Sequence, residues 1–304
     1  MGEITTEICA GGRRPRAVLI AGPTASGKSA LALDIARRFG GVVINADSMQ
    51  VYGELRVLTA RPDAAEEAAA PHRLYGHVPA ARGYSVAQWL QDVGRELRAS
   101  EVAGLLPIIV GGTGLYFKAL TEGLSPVPEI PEAIRTRWRA AGETEPAAAL
   151  HRLLAERDAE TAAALLPGDA QRIVRALEVL EATGRPLAEW QRVPGTPILD
   201  AGRTARFVVS IDRAALYARA DSRFRLMVDT GALDEVRGLM ALRLDTALPA
   251  MRALGVAPLA RHLAGELALA DAIEQGQRDT RHYIKRQLTW LRRYMITWKQ
   301  ISAQ

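Results

Sequence analysis

Gly22-Pro23-Thr24-Ala25-Ser26-Gly27-Lys28-Ser29 follows a short apolar run, residues 17–21, and opens a helical pattern over residues 29–39. Strand, glycine-rich turn and helix in that order are the context in which G-x-x-x-x-G-K-[ST] forms a phosphate cradle, the P-loop. The glycines let backbone N–H groups approach phosphate oxygens, and the helix N-terminus adds a favourable dipole. Lys28 supplies a compact point charge, and the Ser29 hydroxyl can reach a magnesium ion. All eight residues are expected to line the phosphate site, with Ser29 as the metal ligand.

Two further apolar runs of strand length, residues 42–44 and 106–110, lead into Asn45-Ala46-Asp47-Ser48 and Gly111-Gly112-Thr113-Gly114. Between them residues 85–102 read as an amphipathic helix with Ser85 at its N-cap. Strands alternating with helices imply the α/β class, a parallel sheet covered on both faces. After Ser125 the character changes: Pro126, Pro128 and Pro131 punctuate, then Ala, Leu, Arg and Glu dominate to about Trp190. Residues 206–211 read as a strand returning to the sheet, and residues 213–298 as mostly helical. At 304 residues the chain exceeds the size at which one core usually stops growing. The expected organisation is a P-loop core with a parallel sheet, residues 15–124 and 197–304, interrupted by a helical insertion domain at 125–196.

A P-loop says phosphate binding and leaves the chemistry open. An ordinary P-loop NTPase ends a later apolar strand in an acidic residue that holds magnesium indirectly. Here the strand at 106–110 ends in Gly-Gly-Thr-Gly, and no guanine-reading N-K-x-D pattern appears. Routine NTP hydrolysis is therefore disfavoured. Asp47, following the second strand, is expected at the carboxyl edge of the sheet beside the P-loop, where open α/β folds place their ligands. It reads either as a turn or N-cap aspartate or as a general base facing a bound phosphate ester.

Hydrophobic residues make up 48% and charged residues 24%, ordinary globular usage, and no apolar run approaches the roughly 18 to 20 residues of a membrane span. The lone Cys9 forms no internal disulfide, and the start lacks the apolar core of a signal peptide, so a reducing cytoplasm is expected. Gly2 with Thr6 matches the short N-myristoylation pattern, against the blander reading of a tail. The net charge of +5 and pI near 9.6 favour a polyanionic partner. Only four of the 39 basic residues are lysines, however, so codon composition is an alternative source of the arginine excess. Position carries more weight: residues 277–304 hold seven Lys or Arg against one acid, Asp279, with Trp290 and Trp298 interleaved.

Taken in order, the motifs resemble the tRNA dimethylallyltransferase family, enzymes that prenylate the exocyclic amine of the adenosine 3′-adjacent to the anticodon. The resemblance runs through Gly22 to Ser29, Asn45-Ala46-Asp47-Ser48-Met49-Gln50-Val51-Tyr52, Thr59-Ala60-Arg61-Pro62 and Pro71-His72. It continues in Val110-Gly111-Gly112-Thr113-Gly114-Leu115-Tyr116, Gln171-Arg172-Ile173-Val174-Arg175-Ala176-Leu177-Glu178 and Lys285-Arg286-Gln287-Leu288-Thr289-Trp290, nearly the whole chain. What it implies is a dimethylallyl diphosphate donor held on the P-loop without ATP hydrolysis, magnesium, and a tRNA anticodon stem-loop as acceptor. By the same resemblance Asp47 would be the general base, Thr113 would line the adenosine site and Arg223 would clamp the diphosphate. Contacts to tRNA would come from Asp47, Ser48, Met49 and Gln50, from Arg135, from Gln171, Arg172, Ile173, Val174 and Arg175, and from Lys285, Arg286, Gln287 and Arg292.

Two departures stand out. Arg61 occupies the usual lysine of T-A-K-P, and Arg252-Ala253-Leu254-Gly255-Val256-Ala257 lacks the aromatic and basic residues common after that glycine. Tyr116 and Phe117 read as core, with a prenyl pocket wall as the alternative, and His72 with His77 lacks the partners of a zinc site. Arg13, Arg14 and Arg16 either touch RNA or solubilise the tail. The expectation is a monomer with a cleft for the anticodon loop. The rival readings are a prenyltransferase acting on free adenine nucleotides, a P-loop small-molecule kinase and a non-enzymatic RNA-binding module.

Overall fold

The structure is a computed structural model describing Ile8 and residues 14–302. Gly2, Thr6, Cys9 and Arg13, on which the lipidation, disulfide and part of the tail expectations rest, lie outside the described residues. Among the described residues six strands form one parallel sheet in the order β3-β2-β4-β1-β5-β6. They are β1 (Ala17–Ala21), β2 (Gly41–Asn45), β3 (His72–Arg73), β4 (Leu106–Gly111), β5 (Thr204–Ser210) and β6 (Lys299–Ser302).

The period of two along each strand sorts the apolar residues onto two faces, as a parallel sheet buried on both sides requires. Ala17, Leu19 and Ala21 of β1, with Val42, Ile44, Ile109 and Val208, pack against Trp89, Val93 and Leu97 of the helix Val86–Val102. Val18 and Ile20, with Val43, Ile108, Val110 and Phe207, pack against Ala32, Ile35 and Ala36 of the helix Lys28–Phe39. Capping fixes where these helices begin and end. The Ser85 side chain accepts from Gln88 N while Gln88 reaches back, and Gly40, at φ 61°, returns its N–H to Ala36 O.

Two strands lie where none was expected. β3 is only two residues long, and β6, Lys-Gln-Ile-Ser, is an edge strand with only Ile301 turned towards the core, so neither carries an apolar run to read.

The chain divides into two compact units, Met1–Thr121 with Ile198–Gln304, and Glu122–Pro197. In the second, the helices Glu132–Thr144, Ala147–Arg157, Ala159–Ala163, Ala170–Thr183 and Leu187–Arg192 surround a core of Trp138, Leu150, Leu154, Ala162, Ile173, Val174, Ala176 and Leu177. Within the first unit, the 26-residue helix Leu269–Tyr294 buries Ala272, Gly276, Thr280, Ile284 and Gln287, one side at steps of three and four, and leaves Lys285, Arg286 and Arg292 exposed. Arg281 of this helix grips both carboxylate oxygens of Asp221 at 2.8 and 2.7 Å, and Gln277 Nε2 donates to Asp221 O at 3.0 Å. These bonds fix the helix Arg213–Met227, and with it Arg223, against the C-terminal helix.

Leu154 is wholly buried. Leu154→Ala is expected to lower the stability of the helical unit by about 2–5 kcal/mol, read as an earlier urea transition, because truncation leaves a cavity as well as removing apolar contact.

Candidate functional site

The carboxyl ends of β1, β4 and β2 carry the site. After β1 the chain turns through the glycine-rich loop, where Ala25 adopts φ 63° and Gly27 φ 83° before the helix begins. A non-glycine residue in the left-handed region is a local strain that surrounding structure must hold. Two side chains hold Thr24: its N–H donates to Gln287 Oε1 at 2.9 Å, and its hydroxyl accepts from Arg223 Nη2. Lys28 Nζ folds back to Pro23 O at 3.1 Å. Ser26 Oγ is buried inside the loop without a partner among the described residues.

After β2, buried Asn45 shapes the next turn. Its Nδ2 donates to Asp47 O at 2.9 Å and Leu74 O at 3.0 Å, and its Oδ1 accepts from Asp47 N at 2.8 Å. Asp47 Oδ1 then accepts from Met49 N at 2.9 Å, an Asx turn, so the bland reading of this aspartate holds for one oxygen. Among the described residues no hydrogen-bond donor meets the other oxygen, Oδ2.

β4 stands between β1 and β2, so Asp47 is not immediately beside the glycine-rich loop. Gly112 lies between them. A Cβ there would lie 3.4 Å from Asp47 Oδ2 and 3.5 Å from Gly22 O, and would collide with Gln287 Nε2. Gly114 is bare for a different reason, since a Cβ would strike the indole of Trp290. Thr113 between them accepts from Ser48 N at 2.9 Å through Oγ1, with Ser48 Oγ at 3.3 Å, and so braces the Asp47 turn.

Charge concentrates around Asp47. Burial pulls Lys28 down to about 8, with Asp47 opposing the shift and Arg223 adding to it. Burial also lowers Arg223, again against the pull of Asp47. The phenols of Tyr75, Tyr116 and Tyr283 are pushed up, first by burial and then by the charge of Asp47, so all three stay protonated. Tyr283, with Gln287 and Thr113 as polar neighbours, was missed in the sequence. The signal that could have found it is helical spacing: Tyr283, Gln287 and Trp290 stand at i, i+4 and i+7 of one helix.

The remaining candidates fall into three groups. Lys285, Arg286 and Arg292 are exposed on the C-terminal helix, whereas Gln287 is 6% exposed with both ends of its amide engaged. In the helical unit Gln171, Arg172 and Arg175 are exposed, while Ile173 and Val174 are buried in that unit's core and their side chains are unavailable to RNA, a correction to the contiguous contact expected at 171–175. The reason is the helical period, which turns Ile173 and Val174 to a different side of the helix from Gln171, Arg172 and Arg175. Arg175 pairs with buried Glu178 at 3.1 Å, and Arg135 with Glu132 at 3.3 Å. Met49 and Gln50 sit in the loop after Asp47, where Gln50 Nε2 donates to Thr59 O and Ala60 O at 2.8 and 3.0 Å.

Several lesser features have structural roles. Arg61 Nη1 donates to Tyr52 O and Gly53 O, bracing a loop, and Val256 is core. Tyr116 and Phe117 are core, Tyr116 stacked on Trp89 with centroids 4.3 Å apart. Arg14 donates to Gly104 O and Gly40 O, and Arg16 pairs with Glu101. Among the described residues no group of three His, Cys, Asp or Glu is placed to hold a metal.

The family model described as IPP transferase matches residues 50–294, and one described as isopentenyl transferase matches residues 15–77. The tRNA dimethylallyltransferase of Azorhizobium caulinodans is 55% identical over 285 residues, 94% of this chain and 91% of its own length. This chain belongs to the tRNA dimethylallyltransferase family. A second member, from Methylobacterium nodulans, is 59% identical over 279 residues, 91% of each chain. Among solved structures of the family, the full-length tRNA isopentenylpyrophosphate transferase of Bacillus halodurans superposes with a TM-score of 0.66 at 30% identity, covering 95% of this chain and 90% of its own. A eukaryotic dimethylallyltransferase acting on tRNA superposes with a TM-score of 0.77 at 25% identity, covering 94% of this chain and 73% of its own.

Lys28 gives this family site a pH signature. In the ligand-free protein it is charged below about 8, the form an anion favours. Calorimetric binding of inorganic diphosphate is expected to be tightest below pH 8 and to weaken, with proton uptake, as the pH rises through 8. In Lys28→Met binding is expected to be weaker at all pH values and to lose this component of the proton uptake.

Proposed function

We propose that this chain transfers a dimethylallyl group from dimethylallyl diphosphate to the N6 amine of the adenosine 3′-adjacent to the anticodon of tRNA, releasing diphosphate. The observation that carries the reading is the placement of Asp47 Oδ2, without a donor among the described residues, across the bare Gly112 from Gly22 O of the glycine-rich loop. A base on one side and a phosphate cradle on the other is the arrangement a group transfer from a diphosphate needs. The relatives' names favour tRNA over a free adenine nucleotide, and prenyl transfer over phosphorylation of a small molecule.

The adenine amine is a weak nucleophile because its lone pair is shared with the ring. Asp47 accepts its proton as the C–N bond forms and the C–O bond to diphosphate breaks; such assistance is worth about 10² to 10⁴ in rate. Lys28, Arg223 and the loop N–H groups take up the charge developing on the departing diphosphate. Thr113, beside Ser48 and Tyr283, lines the adenosine side. Magnesium fits the site as an ion held largely by the substrate: Ser29 offers one hydroxyl oxygen, and magnesium commonly keeps several waters and takes the rest from phosphates. When bound it would neutralise charge on the diphosphate.

In this reading the residues of the first unit that meet the acceptor are Ser48, Met49 and Gln50 with the exposed Lys285, Arg286 and Arg292; taken by itself, the helical unit offers Gln171, Arg172, Arg175 and Arg135. Flipping the adenosine from its stack costs a few kcal/mol, which these contacts offset. The proposed working unit is a monomer, in the cytoplasm where tRNA is found. No described helix is long and apolar enough to cross a membrane.

The deciding experiment is mass spectrometry of unmodified tRNA incubated with the protein, magnesium and dimethylallyl diphosphate. A dimethylallyl gain on the single adenosine beside the anticodon is expected. Product on free AMP alone would support the nucleotide prenyltransferase instead. Asp47→Asn retains the acceptor for Met49 N and removes the base, so kcat is expected to fall about 10² to 10⁴-fold with tRNA affinity within about twofold of wild type. Unchanged single-turnover rates would rule out the base.

A further inference from the structure

Gln287 lies within the stretch whose resemblance implies tRNA contact, yet its surroundings point elsewhere. Its side chain is 6% exposed, on the inward side of a helix whose neighbours Lys285 and Arg286 face solvent. Oε1 accepts from Thr24 N at 2.9 Å, and Nε2 donates to Gly112 O at 3.1 Å. The partners leave no ambiguity about which way the amide is turned, since one is a backbone donor and the other a backbone acceptor. Gly112, bare of a side chain, is what admits the amide.

We infer that Gln287 is a positioning residue for the diphosphate site, setting the spacing between the glycine-rich loop and the turn after β4, and that it makes no tRNA contact. The inference deepens the proposed function and rests on it for the identity of the donor. Thr24 is held twice, its N–H by Gln287 and its hydroxyl by Arg223, so the strand-to-helix turn that carries Lys28 is anchored at its third residue. The strain of Ala25 at φ 63° immediately follows that anchor. Without Gln287 the Thr24 N–H and Gly112 O would each lack their protein partner, and the loop could relax from the arrangement that gathers its remaining amides around a phosphate. Gln287 touches neither donor nor acceptor and acts through Thr24.

Two variants separate this from a tRNA contact. Gln287→Leu removes both bonds at similar size; Gln287→Glu keeps the acceptor for Thr24 N and loses the donor to Gly112 O. Leaving these part-buried backbone groups without their protein partner is worth up to about a tenfold change. The expected result for Gln287→Leu is a roughly tenfold weaker Kd for inorganic diphosphate by calorimetry, a matching rise in KM for dimethylallyl diphosphate, and tRNA affinity within about twofold. Gln287→Glu, which also brings a negative charge towards the diphosphate site, should weaken diphosphate binding as well, again with tRNA affinity within about twofold. If circular dichroism shows Gln287→Leu unfolded, Gln287→Glu alone carries the test. Weakened tRNA binding with diphosphate affinity unchanged would overturn the inference. So would equal loss of both affinities, the mark of general packing, and so would no change in either. Diphosphate binding is measured without turnover, so wild-type protein that binds diphosphate but transfers nothing to tRNA would sink the functional reading and leave this inference standing on its own split.

Discussion

An acid after β2 and a phosphate cradle after β1 share a site across the end of the strand that lies between them. β4 is that strand, and its last residue, Gly111, with Gly112 just beyond it, leaves the space open. The glycines after β4 could be mistaken for a second phosphate loop. Their function here is clearance: Gly112 admits Gln287, and Gly114 admits Trp290. The same bareness explains why no acidic residue stands where an NTPase would carry one, because a carboxylate at the end of β4 would fill the gap across which Asp47 faces the loop.

The C-terminal helix has two faces with separate tasks. Its inner face fixes parts of the site that are far apart in sequence: Arg281 and Gln277 secure the helix bearing Arg223, Gln287 secures Thr24, and Trp290 packs on Gly114. Its outer face is basic. Burial makes the inner polar groups exacting, because an amide withdrawn from water must find its partners in the protein.

Much of this was legible in the sequence. The apolar runs at 17–21 and 106–110 and the helix opening at Ser85 fall within a residue of the observed elements, because each carries a strong period and a punctuating glycine or cap. β3 and β6 were invisible because short edge strands bury too little to leave a pattern. In the site, Lys28 and Asp47 could be read from motif and strand position, which are local properties. That β4 intervenes between their strands, that Gln287 turns inward while Lys285 turns outward, and that Ile173 and Val174 are core all depend on tertiary packing. A stretch of matching residues marks where a helix matters without saying which of its faces does the work.

The order of the strands also bears on how the protein is made. β1 lies between β4 and β5, so its second neighbour is translated only after the whole helical unit, and Arg223 and Gln287 come later still. A nascent chain therefore exposes one edge of an apolar strand and carries a glycine-rich loop with neither side chain that restrains Thr24. Parallel pairing over such a separation is slow because a long loop must close before it is rewarded. Function thus arrives late and all at once: the half-made protein has the phosphate-binding motif in full, but nothing yet to hold it in shape.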